Sequence, residues 1–168
     1  MLKDEQKREM EEFLENWKDN QNQNKQAFLR LKKHLEDKEQ IAFEFKGRPK
    51  VTYSLRAAHP EQTSRPLFTL IDVIDDDPED RWLSVCFYAD LIEDPQEMGD
   101  MVPAGLMGED ACCFDVDSWD EDLLAYIETR LDEADAQAQK LEITSKPGTF
   151  HLPGYFLQNS GTKSIITV

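Results

Sequence analysis

The sequence predicts an α+β domain, a mostly antiparallel sheet of four to five strands packed against N-terminal and C-terminal helices. Apolar residues recur at helical spacing near both ends, four alternating runs lie between them, and the links joining those runs are too short for crossover helices. At 168 residues the chain reads as a single domain, 1–168, able to bury roughly 70% of its unfolded surface in one core. The expected divisions are a helical segment 1–38, a sheet core with acidic loops 41–117, a helix 118–142 and an extended arm 143–168.

Between Lys3 and Leu35, the residues Met10, Leu14, Trp17, Phe28, Leu31 and Leu35 keep steps of 3 and 4 if Gln21 and Asn24 are polar members of the stripe. The polar run Asn20–Asn24 predicts a helical hairpin or a kink. The alternative is one helix of about 50 Å, with buried amides setting the register of a paired helix.

Four strand-like runs follow, Ile41–Phe45, Lys50–Ala57, Leu67–Ile74 and Trp82–Ala89. Ile41, Phe43 and Phe45 share a face, as do Val51, Tyr53 and Leu55, and Gly47-Arg48-Pro49 suits a tight link. Leu83, Val85, Phe87 and Ala89 form an entirely apolar face, which predicts a central strand. Residues 94–108 read as irregular because Pro95, Gly99, Pro103, Gly105 and Gly108 punctuate them. Ala111–Phe114 reads as a fifth strand. Ser118 and Glu121 suggest a capping box for a helix with the stripe Leu124, Ile127, Leu131, Ala134, Ala138 and Leu141, and the N-terminal helix is its natural mate. Beyond it, Phe150, Tyr155, Phe156 and Leu157 predict an arm that packs on its own domain or on a partner.

Charge is distributed unevenly. Residues 72–122 hold 18 acidic residues and one basic residue, Arg81, out of a net charge of −16 for the chain. Such a field repels nucleic acid and anionic membranes and attracts basic proteins. The start of the chain lacks an apolar leader-like run, and no stretch approaches the roughly 18 apolar residues of a membrane span. The odd set Cys86, Cys112 and Cys113 is a poor disulfide framework. These features predict a cytoplasmic protein with reduced, buried thiols.

No spacing identifies a reaction, and no cofactor or metal is expected. The loop Asp75, Asp76, Asp77, Glu79 and Asp80 is the candidate partner-binding surface; as an EF-hand it fails, with Asp80 and Cys86 where Gly and Glu belong. Arg48, Arg56 and His59 are candidates for binding an anion, within a stretch Lys25–Arg65 of 10 basic and 5 acidic residues. The functional expectation is a noncatalytic interaction or regulatory module engaging a basic protein, with the terminal helices or the arm as routes to a homodimer. The alternative is a metal-dependent hydrolase or transferase for an anionic substrate, with Asp75 and Asp77 on the ion and Arg56 or His59 on the substrate.

Overall fold

The computed structural model describes residues 1–145; of the arm expected at 143–168, residues 143–145 belong to the last helix and the rest lies outside the described residues. Helices α1 (Asp4–Asn16) and α2 (Asn24–Glu36) precede six strands: β1 (Ala42–Arg48), β2 (Thr52–Ala58), β3 (Thr69–Ile74), β4 (Trp82–Tyr88), β5 (Asp100–Leu106) and β6 (Glu109–Val116). Helix α3 (Glu121–Ser145) follows. The fold is α+β, built on one antiparallel sheet in the order β1-β2-β3-β4-β6-β5. Strand β4 is interior, as its two largely buried faces require.

The count of four to five strands is corrected to six. Strand β5 lies in the segment read as irregular, where Pro103 and a register shift between Val102 and Leu106 break the alternation that marks a strand. Met107 and Gly108, both at positive φ, make the two-residue turn into β6. Tight hairpins usually carry Asn-Gly or Asp-Gly at that place, so the turn lacked its customary signal.

Aligned registers place Phe45, Leu55, Ile71, Val85 and Phe114 in one row across the sheet. That row meets Met10 and Phe13 of α1, Phe28, Leu31 and Leu35 of α2, and Leu124, Ile127 and Leu131 of α3 in the core. The N-terminal segment is two helices, and α2 is the one that packs on α3. Two expectations for α3 change. Its first turn is capped by Asp120, whose side chain accepts the N–H groups of Asp122 and Leu123, while Glu121 pairs with Arg30. Leu141 is exposed, and Glu142 turns inward instead.

Val51 departs from its expected apolar face, because it closes the β1–β2 turn by donating its N–H to the Arg48 carbonyl at 2.9 Å. Helix α1 lies against β1, and Glu9 of α1 accepts the Gly47 N–H at 3.0 Å. The cysteines are not all reduced thiols. Cys86 and Cys113 face each other across β4 and β6 with Cα atoms 4.2 Å apart and are joined by a disulfide, while Cys112 points to the other face as a buried thiol. Adjacent residues on a strand point to opposite faces, so the vicinal pair splits between the two sides of the sheet. Burial pushes the Cys112 thiol up from its ordinary pKa, with Asp94 and Asp100 adding to the rise.

Candidate interaction surface

The polar run between α1 and α2, which interrupts the apolar stripe in the sequence, is the hub of the acidic end of the molecule. The Asn24 side chain is buried and donates to two carbonyls, Arg81 at 2.9 Å and Asp117 at 2.8 Å. Asn22 donates its amide to Asp80 at 3.0 Å, and its carbonyl accepts the Trp119 N–H at 2.7 Å. Asn20 donates to the Glu79 carbonyl at 3.1 Å. Asn22 and Asn24 therefore tie the β3–β4 loop to the β6–α3 loop, two acidic segments about 40 residues apart in the chain, and Asn20 adds a further hold on the first. No sequence signal for this exists beyond the density of asparagine, whose amide can donate and accept together.

The joined loops present Asp76, Asp77, Glu79 and Asp80 from one side and Asp117, Asp120 and Asp122 from the other, all exposed. None of these seven forms an ion pair among the described residues. Their local roles are backbone turns: Asp76 accepts the Asp77 N–H, and Asp77 accepts the Glu79 N–H, each at 3.0 Å.

Asp75 stands apart from the loop it opens. Its carboxylate is buried, accepting Arg81 Nε and the Lys50 N–H at 2.7 Å each. The Arg81 guanidinium lies 5.1 Å from the Phe13 ring, 5.6 Å from Trp17 and 5.8 Å from Tyr53. Thus the one basic residue of the acidic stretch is an internal fastener joining α1, β2 and the β3–β4 loop. Burial, with Asp75 nearby, pushes the Tyr53 phenol up.

The basic residues of the first half are largely consumed elsewhere. Arg30 holds Glu128 and Glu121 at 2.8 Å; the first bond keeps the Glu128 carboxyl below its ordinary range. Lys38 pairs with Asp132, and His34 meets the same carboxylate at 2.7 Å. Arg65 forks onto Asp90 and Glu109 and stacks on Tyr88 at 4.1 Å.

The three anion-site candidates do not converge: Arg48 and Arg56 both act on the Asp72 carboxylate, and His59 is apart from them. Arg56 pairs with Glu44 at 3.4 Å. His59 sits beyond the far end of β2, 3.0 Å from Asp135 and stacked on Phe68. Arg48 pairs in register with Thr52 at the opposite end, roughly 20 Å away by strand rise. For the hydrolase reading, Asp75 is enclosed with Arg81 while Asp77 faces outward, and the described residues hold no group of three His, Cys, Asp or Glu side chains suited to a metal ion.

On the sheet face opposite the core, Lys46, Ser54, Asp72, Ser84 and Asp115 align in one row. Burial raises the Asp72 carboxyl pKa against a hydrogen bond from Ser54. Burial likewise raises Asp115, with Asp100 and Asp117 adding repulsion. Among the described residues no helix is long and apolar enough to cross a membrane. Comparison with known families, curated proteins and solved structures finds no match.

Proposed function

We propose that this protein is a noncatalytic interaction module that engages a basic protein partner through its acidic end. The observation that carries the reading is the Asn24 bridge, which sets two exposed acidic loops side by side while Arg30 and His34 of α2, and Lys38 just beyond it, are used on α3. A cluster of like charge left without internal ion pairs raises association rates and selects partners of opposite sign. Asp76, Asp77, Glu79 and Asp80 are the contact residues in this reading; Asp75 acts from inside, by fixing the loop through Arg81. The hydrolase alternative draws no support from converging donors among the described residues.

The test is fluorescence anisotropy with a labelled lysine-rich peptide against the full chain and its Asp76→Asn/Asp77→Asn/Glu79→Gln/Asp80→Asn variant. Losing four surface contacts of about 0.5 kcal/mol each predicts roughly thirtyfold weaker binding at low salt. The difference shrinks as salt screens it. Equal affinity of the two proteins at low salt removes the acidic loop from the function.

A further inference from the structure

The acidic end continues onto strand β5, where large apolar side chains are exposed. Met101 is 64% exposed, Val102 37%, and Met98, just before the strand, 38%. Gly99 lets this strand lie close on β6, since a Cβ there would come within 2.7 Å of Cys112 Sγ. The surroundings are acidic: Asp100 pairs in register with Cys113, two residues before Asp115, and Asp115 feels both Asp100 and Asp117. Methionine side chains are flexible and polarisable, which suits surfaces that accommodate varied apolar groups.

We propose that β5 is the apolar half of the docking surface, and that the partner segment is basic with apolar side chains interspersed. This rests on the reading above and names the partner's chemistry. Asp94, which accepts the Met98 N–H at 3.1 Å, and Asp100, next to Met101 along the strand, attract cations, while the methionines reward a ligand that also brings apolar surface. Recognition runs through side chains. Pro103 lacks an N–H, and the register shift after Val102 interrupts the strand, so β5 is ill suited to pairing with an added strand along its length.

The experiment uses two labelled peptides of equal charge, one alternating Lys and Leu, the other alternating Lys and Ser. The full chain is compared with Met98→Gln/Met101→Gln and with the fourfold acidic-loop variant, each checked for native fold by circular dichroism. The Lys-Leu peptide is expected to bind the native chain about tenfold more tightly than the Lys-Ser peptide. That margin disappears in the methionine variant with Lys-Ser affinity unchanged, whereas the acidic-loop variant weakens both peptides. Equal affinities for the native chain, or a margin that survives the methionine substitutions, overturns the role of β5 and leaves the acidic reading standing. Binding of both peptides undiminished in the acidic-loop variant overturns the proposed function itself.

Discussion

Replacing Asp75 with Asn leaves Arg81 as an uncompensated cation among Phe13, Trp17 and Tyr53. Two charges about 4 Å apart attract by about 4 kcal/mol at an effective dielectric of 20. Removing both ions from water opposes that attraction by several kcal/mol each, so the intact pair contributes little net stability. Breaking it is another matter: loss of one partner of a buried pair costs about 3–5 kcal/mol. Asn keeps an acceptor for the Lys50 N–H, so the loss is expected near the lower figure. With a urea slope of about 2 kcal/mol per molar, the unfolding midpoint falls by roughly 1.5 M. The control is Asp75→Asn/Arg81→Met, which removes both charges and keeps an apolar group against the rings. It is expected to return to within about 1 kcal/mol of the native chain. A midpoint for Asp75→Asn within about 0.3 M of native, a loss near 0.6 kcal/mol, would refute the reasoning. So would a double variant that loses the sum of the two single losses, since that outcome denies any coupling between the groups.

Asn24→Ala leaves the Arg81 and Asp117 carbonyls without their shared donor and is expected to cost about 1–3 kcal/mol by thermal unfolding. It should also weaken the lysine-rich peptide, because the two loops lose their common anchor. Glu142, buried against the Thr63 and Ser64 hydroxyl and N–H groups, has its pKa lowered to about 2. A depressed carboxyl stabilises the fold above its unfolded pKa and loses that contribution as pH falls through the folded value. Stability is therefore expected to decline between about pH 4.5 and 2, and Glu142→Gln to flatten that part of a pH series of urea midpoints. Reducing Cys86–Cys113, which closes a loop of 27 residues, is expected to cost about 3.5 kcal/mol on chain-entropy grounds. Urea titrations with and without reductant measure this, and Cys86→Ala should show no further response to reductant.

The first four strands and the presence of helices on either side of them were legible because each carries a periodicity that survives in isolation, whereas the cap and the last turns of α3 were placed wrongly. Phe28, Leu31 and Leu35 repeat at helical spacing, and Leu83, Val85 and Phe87 alternate, and all six are buried. Strand β5 was not legible, since its residues from Asp100 to Gly105 face solvent and leave no pattern. The disulfide was hidden by vicinality. Cys112 and Cys113 look like a pair in the sequence, yet the pleat sends them to opposite faces and the register gives Cys113 to Cys86. The acidic loop was visible as composition, but the distinction between Asp75 and its neighbours was not. Four consecutive carboxyl-bearing or turn-forming residues look alike until the fold brings Lys50 and Arg81 to one of them. The bridge between the two acidic loops depends on backbone carbonyls that side-chain spacing does not reveal.

The placement of Glu9 on the Gly47 N–H has a consequence for how the protein survives stress. Every open sheet has two outermost strands that are templates for fibrillar growth. Here one is broken up by Pro103, while the other, β1, depends on α1 lying over it. A helix of 13 residues has little stability by itself and holds its shape through Met10 and Phe13. Detachment of α1 alone would bare β1 while the remaining sheet stayed folded. The onset of fibril growth should then track the integrity of this one helix more closely than the melting of the domain.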